Sequence, residues 1–180
     1  MNPINTEAPL NNFSQCHAGI ANRLDHLAGL PALLEPAAQA RAVAGDLLKF
    51  FDAVVRVHHA EEEQDLFPAV LRSAAPGEER ALVGAMIDRL TAEHRAVEEI
   101  WDRMKSPLKR VAEGRDVGSH AEDFNADLRD LVTAYRGHAA YEETHFLPLS
   151  EKILGRNDNH MAALGLSLHL RHAQAPAGYL

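Results

Sequence analysis

The chain has 180 residues, 46% of them hydrophobic, enough to bury the core of one domain. Its 26 acidic and 18 basic residues give a formal net charge of −8 with no basic stripe, which argues against a nucleic-acid partner. A single cysteine, Cys16, excludes an intrachain disulfide, and no apolar run approaches the ~20 residues that cross a bilayer, so a soluble, cytoplasmic protein without membrane association is expected. The opening Met1-Asn2-Pro3-Ile4 lacks the basic-then-apolar order of a signal peptide.

Apolar residues follow helical spacing almost throughout, so an all-α fold of four long helices and one short one is expected. The first runs from about Asn12 to Gly29 and ends in Gly29-Leu30-Pro31. The second starts near Pro36, which suits a first helical turn, and runs to about Arg72. Ala75-Pro76-Gly77 marks a turn. Glu78 and Glu79 then sit where the third helix's dipole favours negative charge; that helix reaches at least Lys105 before Pro107 interrupts it. Gly114 to Gly118 reads as a loop, and Ser119 with Glu122 as a capping box for a fourth helix ending near Ile153. A short helix from about Asn159 to His169 follows. The domain is expected to span 10–171, with loose tails at 1–9 and 172–180.

The second and fourth helices share a motif. His58-His59-Ala60-Glu61-Glu62 continues to Phe67-Pro68, and His138-Ala139-Ala140-Tyr141-Glu142 continues to Leu147-Pro148, eighty residues later. A four-residue step is about one helical turn, so each His and its Glu share a face. One further His precedes each copy, His17 by forty-one residues and His94 by forty-four. Such self-similarity predicts two helical hairpins related by a pseudo-twofold axis, packed as an up-down-up-down bundle, each supplying half of one central site.

The candidate ligands interrupt apolar seams. Phe13, His17, Ile20, Leu24 and Leu27 form one stripe; Phe51, Val55, His58, Glu62 and Leu66 a second; Leu90, His94, Val97 and Trp101 a third; Leu131, Tyr135, His138, Glu142 and Phe146 a fourth. No Lys or Arg lies on these seams, and a buried carboxylate without a partner costs several kcal/mol, so Glu62 and Glu142 require cations. Four neutral imidazoles and two bridging carboxylates give each of two metal ions four bonds. A bridging oxide or hydroxide makes five and leaves one position open, which suits two iron ions best, with manganese the alternative. The readings for His59 are a fifth imidazole on one ion or a residue behind the ligands, and His145 is expected to hydrogen-bond behind them. The prolines after each motif free a carbonyl four residues back and are expected to bend the helix or end its regular part. Tyr135 is expected in the core with its hydroxyl satisfied, and His26 to face solvent.

Taken together, His17-Ala18-Gly19-Ile20, His58 to Pro68, Ala92-Glu93-His94 and His138 to Pro148 resemble the hemerythrin-like, or HHE cation-binding, domain. The resemblance implies a non-haem di-iron centre with His17, His58, His94 and His138 terminal and Glu62 and Glu142 bridging, and His59 as a further candidate. It also implies binding of dioxygen, nitric oxide or a related small oxidant, in sensing, storage or stress response, with a redox or signalling partner. The alternatives are a di-iron oxidase or peroxidase, an iron-sulfur cluster repair protein, and a metal-free helical interaction module. Oxidases of the ferritin-like kind use a Glu-x-x-His spacing, whereas here it is His-x-x-x-Glu.

Overall fold

The helical spacing of apolar residues is answered by helix in every regular element among the described residues of the computed structural model. The description covers backbone from Pro9 to His172 apart from Ser119 and His120, and side chains over 16–166 apart from those two and Asp158. The expected Ser119 cap lies outside it, as do the expected tails except for their inner ends, Pro9 and His172, which are helical.

In chain order the elements are α1 (Pro9–Gly29), α2 (Pro31–Phe50), a π-helical turn π1 (Phe51–Val55), α3 (Arg56–Glu61), π2 (Glu62–Leu66), α4 (Phe67–Ser73), α5 (Glu78–Ala112), α6 (Ala121–Tyr141), π3 (Glu142–Phe146), α7 (Leu147–Leu154) and α8 (Asp158–His172). α2 to α4 form one rod broken only by π turns, α6 to α7 another, and α5 a third. The all-α class and the short C-terminal helix agree with expectation.

The three rods bury two apolar layers. Phe51, Val55, Trp101, Met104, Phe124 and Leu131 make one, in which Trp101 stacks on Phe51 with ring centres 4.1 Å apart. The Trp101 indole N–H donates to Asp52 Oδ1 at 3.1 Å, so its one polar atom is satisfied. Phe67, Val70, Val83, Leu90, Phe146 and Ile153 make the other, with Phe67 and Phe146 edge to face at 5.2 Å. The buried histidines and glutamates of the seams lie between these layers in the sequence order of every rod.

Three boundaries differ from expectation. α5 passes through Pro107 to Ala112, because its neighbours Met104 and Leu108 are buried. Burying two such side chains contributes about 3–6 kcal/mol, at least matching the ~3 kcal/mol a mid-helix proline costs. α2 begins at Pro31, which takes the first-turn position, and carries Pro36 inside it. The expected break between the first two helices is reduced to Leu30, which keeps α-helical dihedrals of −56° and −42°.

That last difference decides how α1 sits. A reversal at Gly29-Leu30-Pro31 would face α1 against α2 and cover the leucines on both sides of it. Instead Leu24, Leu27, Leu33 and Leu34 are all more than half exposed, and every described side chain from 16 to 43 is exposed apart from the partly covered Gly19. α1 therefore runs on from α2 as a helical arm and does not close its own bundle.

Candidate metal centre

Each ligand motif ends in the same backbone device. Pro68 and Pro148 lack the N–H that would bond a carbonyl four residues back, and the turn before each widens to π geometry. The Phe67 N–H donates to the Glu62 carbonyl, and the Leu147 N–H to the Glu142 carbonyl. Glu62 and Glu142 thus each open a π turn, at equivalent places in the two halves. The expected bend takes this form.

These rods bring Glu62, His94, His138 and Glu142 together with ligand atoms within 4.8 Å of one another, and His59, His94 and His138 converge within the same limit. All five are buried, His94 completely. The His59 and His94 rings stack at 3.9 Å, while His138 meets His94 edge-on at 4.7 Å. His58 is the half-exposed flank of the group, with Nε2 3.3 Å from Glu62 Oε1.

The three buried imidazoles share one polarity. Nδ1 of His94 lies 2.8 Å from Glu63 Oε1, Nδ1 of His59 3.2 Å from Glu98 Oε1, and Nδ1 of His138 3.3 Å from Glu93 Oε2. A carboxylate at Nδ1 fixes the tautomer with Nε2 as the bare lone pair. All three Nε2 atoms are buried without a hydrogen-bond partner, as are Glu62 Oε2 and Glu142 Oε1. His94 Nε2 does lie 3.2 Å from Glu62 Oε2, but outside hydrogen-bond geometry.

Five orphaned polar atoms cost roughly 1–3 kcal/mol each when nothing pairs them, a total comparable to the stability of a whole domain. They belong to two overlapping groups, His59 with His94 and His138, and the latter two with Glu62 and Glu142, so cations held there would satisfy all five. Nitrogen and oxygen donors without a thiolate suit iron or manganese better than a structural zinc site. The donor set therefore fits the expected metal.

The charge balance of the pocket points the same way. Burial, then the neighbouring Glu62, pushes the Glu142 carboxyl up to about 8. Burial also acts on Glu62, but the His94 and His58 imidazoles outweigh it and hold Glu62 below the usual carboxylate range. Of the two carboxyls, Glu142 is therefore the one that keeps its proton and Glu62 the one that stays ionised. His59 is held neutral, its pKa pressed down to about 3 by burial and then by His94 and His138. Burial and His94 likewise lower His138. His94 moves the other way, because Glu62 and Glu63 overcome its burial.

His59 thus enters the focus with its Nε2, rather than standing behind the ligands. His17 does not enter it: it is exposed on α1, because the chain keeps helical dihedrals at Leu30 and does not reverse there. His145 is exposed and touches only the Tyr141 ring at 5.0 Å among the contacts described, so the expected hydrogen bonding behind the ligands falls to Glu63, Glu93 and Glu98 instead. Sequence reasoning missed these three. All three bonds reach another rod, and no spacing along one helix reveals such a pairing. Tyr135 is half-buried, with its ring 6.0 Å from His138, and His26 is exposed as expected.

A buried group of His and Glu between helical rods marks a helical bundle that could hold a metal ion. The hemerythrin HHE cation-binding domain family matches residues 8–150, and the chain belongs to that family. It is 28% identical over 163 residues to a protein of Haemophilus influenzae described as uncharacterized, covering 86% of this chain and 88% of that one. No solved structure matches it. Among the described residues no helix is long and apolar enough to cross a membrane.

Proposed function

We propose that this protein holds two iron ions and binds dioxygen, nitric oxide or a related small oxidant at them. The observation that carries the reading is the common polarity of His59, His94 and His138: each gives Nδ1 to a carboxylate and keeps a buried, unpaired Nε2, and His94 and His138 also converge with Glu62 and Glu142. Iron, when bound, supplies reversible one-electron chemistry toward a diatomic ligand. The family match supports a bound cation, and the absence of sulfur donors from the focus favours iron, with manganese as the alternative.

The chain's own residues have separable tasks in this reading. Glu62 and Glu142 bring two negative charges against the four positive ones of two divalent ions, and the proton on Glu142 would leave as the ions enter. Glu63, Glu93 and Glu98 hold the imidazole rings in place and strengthen Nε2 as a donor. Phe67 and Phe146 wall the focus on one side, and Val97 lies one turn beyond His94 on the other; all three are buried and keep bulk water away. Tyr135 stands at the edge with its phenol held protonated by burial, and then by Glu62 and Glu142.

Anaerobic loading with ferrous iron, followed by metal analysis and optical spectra before and after dioxygen or nitric oxide, tests the proposal. We expect close to two irons per chain and new visible absorption on exposure to the gas. Full loading with an unchanged spectrum would sink it. Multiple turnover with peroxide and a reductant would instead favour the oxidase or peroxidase reading.

A further inference from the structure

The centre and the arm are each incomplete in a complementary way. The rods leave an apolar groove between α2–π1 and α6, lined by Leu47, Phe50, Val55, Leu128, Leu131 and Tyr135. α1 carries an apolar stripe of Ile20, Leu24 and Leu27, each about half exposed or more, in register with the exposed His17. The groove's lining reaches Tyr135, whose ring centre lies 6.0 Å from that of His138 and 6.3 Å from that of His59, so one end of it borders the centre.

The geometry points to a reciprocal exchange: α1 of one copy of this chain fills the groove of a second copy and carries His17 to that copy's centre. The exchange itself stands on the arm and the groove, and only the role of His17 rests on the iron reading above.

Helix lengths favour a second copy over the chain's own groove. In the α5–α6 half, His94 and His138 lie level, and the chain reverses midway between them, near residue 116. For His17 and His58 to lie level within one chain, the reversal must come at Ala37-Ala38. Those residues are inside α2, where the helix is unbroken. A fold at Leu30 would leave His17 beside Val43, fifteen residues or about 22 Å short of His58.

An arm that keeps helical dihedrals through Leu30 fits the other arrangement. His17 and His58 are forty-one residues apart, about 60 Å along a helix at ~1.5 Å per residue. Each centre lies about 27 Å from its bundle's end, counted from His94 to Ala112 at the same rise. Two bundles meeting at those ends set their centres about 55–60 Å apart. The twofold axis then crosses both arms near Ala37 and Ala38, where small side chains allow the helices to approach closely.

The area is sufficient as well. A helix about 30 Å long and 10 Å across that buries half its girth, with an equal area of groove, gives on the order of 1,900 Å² for two arms, within the roughly 1,200–2,000 Å² of stable interfaces. Exchange closes on itself at two copies, because each has one arm and one groove.

Two chains carrying Cys16→Ser, one also with Leu24→Cys and the other with Val132→Cys, test this when coexpressed and oxidised. We expect a disulfide-linked heterodimer and, for the unmodified protein, a mass in solution of twice the 19.8 kDa chain. A monomer in solution overturns the proposal. So does a disulfide that forms only when both cysteines are placed in one chain and closes within it, and so does failure to crosslink in either design. The role of His17 is read separately by coexpressing His17→Ala with His138→Ala. Half of the randomly assembled dimers are then mixed, each with one undamaged centre, so iron content should return to about a quarter of the unmodified level. Crosslinking without that recovery upholds the exchange and removes His17 from the centre.

Discussion

The smallest unit with a testable consequence is the buried carboxylate. Glu142 holds its proton up to about 8, whereas an exposed glutamate loses it near 4.5. In the metal-free protein the stabilisation from that extra proton affinity is fully present below pH 4.5 and is lost as pH rises through about 8. Thermal melts of metal-free protein should therefore fall in midpoint between pH 5 and 9, and Glu142→Gln should flatten that fall while abolishing metal uptake. An identical pH slope in the variant would refute the assignment. Metal affinity itself should rise over the same range, since the ion displaces the proton. The carboxylates behind the imidazoles act more gently. Glu63→Gln and Glu98→Gln should each weaken metal binding by about 10- to 100-fold while leaving the helical content unchanged, as read by competition with a chelator and circular dichroism.

At the scale of the element, the π turns and the arm carry the predictions. Pro68→Ala restores an N–H that can bond the Gln64 carbonyl, which removes the reason for the widened turn that Glu62 opens. We expect the variant to melt no lower without metal but to bind metal more weakly, with the Pro148→Ala variant behaving alike because the two halves match. A variant with unchanged metal affinity would show that the turn does not set the glutamate. Trp101 anchors α5 against Phe51 and Asp52 with no exposed surface. Trp101→Ala should cost about 3–5 kcal/mol in chemical denaturation, the range for emptying such a site.

For the whole molecule, metal and fold are linked. Five buried, unpaired polar atoms lie in two overlapping groups of possible ligands, so a cation bound there stabilises the folded chain by mass action. At a thousandfold excess over its dissociation constant that is about 4 kcal/mol, or roughly 10 °C in melting midpoint for a chain of this length. Chelation should reverse the shift. A midpoint indifferent to iron and to chelator would support a metal-free interaction module instead.

The sequence by itself determined the helical class, the two matched motifs and the burial of His94, His138, Glu62 and Glu142, because apolar period and ligand spacing are properties of a single helix. In the sequence His58 reads as a ligand and His59 stays open between ligand and supporting residue. That His59 is the buried one and His58 the half-exposed one depends on how far the rod is rotated by π1 before α3 begins, a cumulative effect that no local pattern records. Glu63, Glu93 and Glu98 were illegible for a related reason: each meets its imidazole on a different rod. Pro107 misled because a local cost was outweighed by the burial of Met104 and Leu108. Only the tertiary structure decided where α1 goes. Its stripe says that it must be covered, but an apolar face does not specify its partner, and the helical dihedrals of Leu30 carry it away from its own bundle.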